Sequence, residues 1–203
     1  MKILFLSPHK HLINFLQSNG DEVVQLVEPL SDVVGEGRNA IDVIRPEAKE
    51  LLTSIDFIVS YGYRFKICRG ITDRFKNRAI NLHISYLPWN RGADPNLWSF
   101  LEDTPKGVTI HYLDGSIDTG DIIAQELLEY DIDTDTLKTT YRLLAGQIEG
   151  LFKTVWTEIR QGNVNSLPQL TYHRVKDKDR FQDLLTKGWD TPVKDILGKA
   201  KEQ

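Results

Sequence analysis

Two short apolar runs constrain this chain more than anything else in it. Lys2 to Ser7 and Glu22 to Val27 each read as a buried strand. Between them, His11 to Gln17 carries Leu12, Phe15 and Leu16 at helical spacing, and Asn19-Gly20 closes that segment as a C-cap or turn. A strand, a helix and a second strand in that order open an α/β fold. The crossover helix brings the chain back parallel to itself, so a mostly parallel sheet with helices on both faces follows.

The rest of the chain reads consistently with that opening. Pro29 to Asn39 holds two glycines and no clear period, which predicts a loop. Pro46 is a good first helical position, and a short helix runs from it through Leu52. Ile55 to Ser60 and Ile80 to Ile84 are further strands. Asn96 to Glu102 is helical, Gly107 to Leu113 is a β-branched strand, and Ile122 to Tyr130 is another strand. Thr136 to Gln161 is the longest helical stretch, with Leu137, Tyr141, Leu144, Ile148, Leu151, Phe152 and Ile159 recurring at three and four, and Gly162 stops it.

Composition narrows the function classes. Lys plus Arg is 25, Asp plus Glu is 29 and the net charge is -4, which disfavours a nucleic-acid partner. No apolar run reaches the roughly 18 residues of a membrane-spanning helix, and the N-terminus reads as a first strand and not a signal peptide. The single cysteine, Cys68, excludes an internal disulfide framework and a cysteine-based zinc cluster, and it suits a reducing, cytoplasmic setting.

Polar residues cluster where strands end, and open α/β sheets bind ligands outside the carboxyl ends of their strands. Asn81 and His83 sit two apart on one strand and so point the same way. Asp118 lies in the loop after the Gly107 to Leu113 strand. From spacing alone, ordinary structural roles stay open: a packed histidine, a strand-end amide, a capping carboxylate.

The stretch NLHISYLP, followed by HYLDGSIDTGDIIAQ, resembles the formyltransferase domain that uses N10-formyltetrahydrofolate. Glycinamide ribonucleotide transformylase, methionyl-tRNA formyltransferase and the amino-sugar N-formyltransferases share that domain. The resemblance covers roughly residues 1 to 160. It implies a Rossmann-like formyltransferase fold, with a catalytic domain over 1–162 and a short C-terminal extension over 163–203 that binds acceptor or forms an interface. It makes Asn81 and His83 the catalytic pair of the N-x-H motif and Asp118 the catalytic carboxylate of the D-x-G segment.

Those residue types suit the implied chemistry. When an amine attacks a formyl carbon, the Asn81 amide can donate to the oxygen on which charge develops. His83 can donate as well, or move the proton that the amine sheds. Asp118 can orient His83 and raise its basicity. His111 is given a supporting place near the site. The cosubstrate implied is N10-formyltetrahydrofolate, with no metal. Its pterin is expected against the loop of Leu113, Asp114, Gly115 and Ile117, and against the loop of Gly62, Tyr63 and Arg64.

The acceptor is read from departures within the resemblance. The stretch SPHKHLINFL lacks the Gly-rich phosphate loop of the ribonucleotide enzyme. An acidic chain ending about 40 residues past the long helix supports a tRNA acceptor poorly. LPWNRGADPNLWSF is similar to the corresponding segment of the amino-sugar enzymes. The implied acceptor is a nucleotide-linked amino sugar, bound by Trp89, Asn90, Arg91 and Tyr172. Trp98 or Trp189 can also stack on a base, and Lys176 or Arg180 can meet a diphosphate. The alternatives are formylation of another small amine, hydrolysis of the formyl donor, and a non-catalytic binding protein. No nucleic acid and no membrane are expected as partners, and a homodimer is the assembly considered.

Overall fold

The computed structural model describes residues 1–35, 41–169 and 178–201. Its central sheet has six strands: β1 (Lys2–Leu6), β2 (Glu22–Leu26), β5 (Phe57–Tyr61), β6 (Ala79–His83), β7 (Gly107–Tyr112) and β8 (Ile122–Leu127). They lie in the order β2-β1-β5-β6-β7-β8. β1 pairs parallel with β2 and with β5, and β5 pairs parallel with β6. β8 is antiparallel to β7. The mostly parallel α/β architecture predicted from the opening strand, helix and strand is the one observed.

The chain divides into two compact units, Met1–Leu82 with Tyr112–Gly120, and His83–His111 with Asp121–Gln203. In the first unit, helices α1 (Ile13–Ser18), α2 (Pro46–Thr53) and α3 (Arg69–Arg74) accompany the parallel strands. Leu4, Leu6, Leu52, Ile58, Ile71 and Phe75 form its core. β1 and β5 are buried along nearly their whole length, as central strands covered on both faces must be.

Pro29 to Asn39, expected to be a loop, contains a strand instead. β3 (Ser31–Val34) pairs antiparallel with β4 (Ile41–Ile44) in a separate two-stranded sheet. Arg45 fastens its base by forking onto both carboxylate oxygens of Asp32, and Lys66 reaches Asp42 at 3.1 Å. The four-residue strands carry exposed Val33, Val34 and Ile41, so no inward and outward alternation marks them in the sequence.

In the second unit, α4 (Pro95–Leu101) and the long helix α5 (Leu137–Gln161) pack with the C-terminal segment. The start of α5 is a reciprocal cap. The Thr139 amide donates to Thr136 Oγ1, and the Thr136 amide donates to Thr139 Oγ1. Gly162, at φ +73°, ends it in the left-handed conformation. The predicted stripe is buried except for Tyr141, which is exposed. Thr140 is buried in its neighbourhood because its hydroxyl donates to Asn96 Oδ1 of α4. Phe181, Val193 and Ile196 of the C-terminal segment share one core with Leu97, Trp98, Phe100 and Leu137. Among the described residues, no helix is long and apolar enough to cross a membrane.

Candidate active site

β6 sets the geometry of the site. Ile80 and Leu82 are buried on one side of the strand, and Asn81 and His83 alternate with them. The Asn81 amide Nδ2 donates to Asp118 Oδ1 at 3.2 Å. The structure therefore brings together two of the three residues singled out by motif, within the first unit.

Asp118 is held there by its loop. The Leu113 amide donates to Ala79 O at the start of β6. Asp114 then folds the loop on itself, accepting from the Ser116 amide at 2.8 Å and from Thr119 Oγ1. Asp118 takes φ +51°, a left-handed conformation that aspartate tolerates better than most side chains. Two residues on, a Cβ at Gly120 would collide with the carbonyl of Tyr112. The aspartate and glycine of D-x-G thus answer two backbone demands of one tight turn.

His83 belongs to the second unit and is 8% exposed. Its Nε2 lies 3.4 Å from the backbone oxygen of Asn90. Its ring meets that of His111 edge to face at 6.3 Å between centroids, which places His111 beside it as expected.

The two loops assigned to a pterin lie in the first unit, and Tyr63 and Leu113 pack against the same core cluster. Gly62 has φ +63°, and a Cβ there would press on the His9 ring at 3.1 Å. Tyr63 directs its hydroxyl to Glu28 O at 2.6 Å and sets its ring edge-on to Phe65. Burial pushes the Tyr63 hydroxyl up to about 12, so it stays a neutral donor. Arg64 is exposed. Gly115 brings its backbone against the Arg69 side chain, and Ile117 is exposed. Asp114, Ser116 and Ile117 are exposed beside half-buried Leu113 and Gly115.

The acceptor residues fare differently. Trp89 is half-buried. Asn90 and Arg91 are buried, at 6% and 4% exposed. Asn90 Oδ1 accepts from Thr104 Oγ1, and Arg91 Nε donates to Gln169 Oε1 at 3.0 Å. Trp98 is a correction: it packs on Phe181 in the hydrophobic core and offers no face to a base. Trp189 is exposed. Tyr172 and Lys176 lie outside the described residues, as does the side chain of Arg180. Thr104 was not singled out in the sequence, because nothing local marks a threonine 14 residues away as a partner of Asn90. No group of three or more metal-ligating side chains gathers among the described residues.

Comparison with known proteins follows the same lines. The family model described as Formyl transferase matches residues 29–155. The crystal structure of the formyltransferase PseJ from Anoxybacillus kamchatkensis, in complex with UDP-4,6-dideoxy-4-formamido-L-AltNAc and tetrahydrofolate, is 50% identical. It superposes with a TM-score of 0.84, over 98% of this chain and all of that one. The dTDP-4-amino-4,6-dideoxyglucose formyltransferase of Mycobacterium tuberculosis is 28% identical over 91% of this chain and 77% of its own. The methionyl-tRNA formyltransferase of Finegoldia magna is 41% identical over 45% of this chain, and only 32% of the relative is matched. The chain spans about a third of the length of the methionyl-tRNA formyltransferases that head its curated relatives.

Proposed function

We propose, for a chain that belongs to the formyl transferase family, that it moves the formyl group of N10-formyltetrahydrofolate onto the amino group of a nucleotide-linked amino sugar. One observation carries this reading. The likeness to PseJ runs the full length of that protein at 50% identity, and the PseJ complex holds a formamido sugar nucleotide and tetrahydrofolate together.

The cosubstrate supplies an electrophilic formyl carbon. The acceptor nitrogen forms a bond to it, the bond from that carbon to N10 breaks, and the proton shed by the nitrogen ends on N10. Asn81 and Asp118 act as one device. Of the two N–H groups of the Asn81 amide, one donates to Asp118, which aims the other at the formyl oxygen. Because the donor is oriented before reaction, little reorganisation is needed as charge develops. His83 takes the proton from the acceptor nitrogen and returns it to N10. Gly62, Tyr63, Arg64, Leu113, Asp114, Gly115 and Ile117 hold the pterin through backbone groups and apolar faces. Trp89 and Tyr172 bind the acceptor nucleotide, whereas Asn90 and Arg91 shape the loop that carries Trp89. The single cysteine supports a reducing, cytoplasmic setting.

The test is direct. The protein is incubated with N10-formyltetrahydrofolate and a panel of UDP- and dTDP-linked amino sugars, and the sugar nucleotide is followed by mass spectrometry. A gain of one formyl group on the amine supports the reading. Loss of the donor's formyl group to water, with every sugar unchanged, would replace it with the hydrolase alternative.

A further inference from the structure

We propose that Thr109 and Gln125 are positioning residues for the acceptor sugar. They fasten the loop from Ser85 to Trp89, and so fix where Trp89 stands relative to His83. The roles of Trp89 and His83 rest on the formyl-transfer reading; the fastening does not.

The loop begins just after β6 and lies outside every strand, so its buried backbone groups need partners from elsewhere. Ser85 and Leu87 are buried, at 3% and 1% exposed. Two neighbouring strands supply the partners through side chains. Thr109 of β7 and Gln125 of β8 stand opposite each other in the antiparallel register, so their side chains share one face. Thr109 is fully buried. Its hydroxyl donates to Ser85 O at 2.7 Å, and it accepts from the Leu87 amide at 3.0 Å and from Gln125 Nε2 at 2.8 Å. One hydrogen and two lone pairs are all that a hydroxyl has. The second hydrogen of Gln125 Nε2 goes to Leu87 O at 2.7 Å. The loop then closes on itself. The Trp89 amide donates to Tyr86 O at 3.2 Å, and Ser85 Oγ donates to Trp89 O.

One pattern of donors and acceptors satisfies this network, which makes it stiff. Valine at 109 has nearly the same shape, yet it would leave Ser85 O without its donor and two N–H groups without their acceptor. Serine would keep the hydroxyl. The fastened loop runs from the end of β6, where His83 stands, to Trp89, all within the second unit. With the nucleotide held at Trp89, the amine meets His83 only when it sits on the matching carbon of the sugar ring. A stiff loop does not move to meet a mismatched isomer, so the network acts on acceptor choice.

The experiment uses UDP-linked sugars aminated at C4 or at C3, with N10-formyltetrahydrofolate as donor. The wild type is expected to prefer one isomer. Thr109→Val and Gln125→Met are expected to raise KM for that isomer about tenfold and to shrink the preference about fivefold. Their KM for the donor is expected to stay within about twofold. Thr109→Ser is expected to restore both readouts. A wild type that takes both isomers equally overturns the inference. Variants that lose thermal stability with acceptor KM and preference unchanged overturn it too, since the network would then be structural only. So does a Leu87 amide that exchanges its hydrogen in the wild type as fast as an open loop, whether or not the variants fold. The fastening is also read without turnover, by fluorine NMR of 5-fluorotryptophan protein, the Trp89 resonance being identified by its loss in Trp89→Phe. If no amino sugar is formylated, the proposed function fails. A single Trp89 resonance that splits or broadens in Thr109→Val then still supports the fastening, and an unchanged one overturns it.

Discussion

The Asn81 amide donates to the Asp118 carboxylate at 3.2 Å across 37 residues of sequence. In the proposed mechanism, the pair gives each residue type a task. A carboxamide has two N–H groups, and a carboxylate that holds one of them fixes the direction of the other. Asn81→Ala is expected to lower kcat by about 10²–10³, and Asp118→Asn to lower it by a smaller factor with KM for the acceptor little changed. Steady-state kinetics with the preferred sugar nucleotide check this. Near-normal turnover in Asn81→Ala would remove the amide from the chemistry.

His83 is assigned proton transfer, for which a positioned group contributes roughly 10²–10⁴ in rate. His83→Ala is expected to lose turnover on that scale while its thermal unfolding stays within a few degrees of the wild type. Calorimetry beside the kinetic assay separates loss of chemistry from loss of fold.

Gly120 is the tightest point of the turn that carries Asp118. A methyl group there would overlap the carbonyl of Tyr112. Gly120→Ala is expected to destabilise the protein by about 2–3 kcal/mol and to lower activity as Asp118 shifts. Urea unfolding with an unchanged slope would give the first number. An alanine variant as stable as the wild type would mean that the turn relaxes at little cost.

Tyr63 offers a pH test with a definite sign. Its hydroxyl donates to Glu28 O only while protonated, and burial raises it to about 12 in the folded protein. For a raised acid, the stability contribution is complete below the unfolded value of about 10. It is lost as pH rises from there through about 12. Tyr63→Phe is expected to cost about 0.5–1 kcal/mol, constant between about pH 6 and 9 and shrinking above about 10. Denaturation of both proteins across that range checks it; a difference that grows with rising pH would contradict the assigned donor role.

Phe181 links the C-terminal segment to α4, packing edge-on against Trp98 at 5.6 Å between centroids. Phe181→Ala is expected to cost about 3–4 kcal/mol, the usual scale for a buried aromatic. Unfolding is expected to stay a single transition if the segment and helices share one core. A separate early transition would identify the segment as an independent piece.

Much of this was legible in the sequence because it is local. The strands and α5 announce themselves by periodicity and caps; alternation put Asn81 and His83 on one face of a strand, and the resemblance to a family gave that pair its role. The β3–β4 hairpin was not legible, since its apolar residues are exposed and obey no burial pattern. Helix α3 was equally silent, being six residues long and containing Gly70 and Thr72. Trp98 illustrates a third failure. A tryptophan in a loop-and-helix segment looks the same whether it stacks on a ligand or fills a core, and only its neighbour Phe181 decides.

The sequence by itself determined the α/β class and the limits of most elements, which follow from contacts a few residues apart. It singled out Asn81, His83 and Asp118 by their resemblance to a family's motifs. The tertiary structure decided what those residues are to one another. It joined Asn81 to Asp118, and it turned Asn90 from a loop asparagine into a buried residue that Thr104 holds and whose carbonyl faces His83. Hydrogen bonds between distant residues depend on where whole elements pack, and no local propensity encodes that.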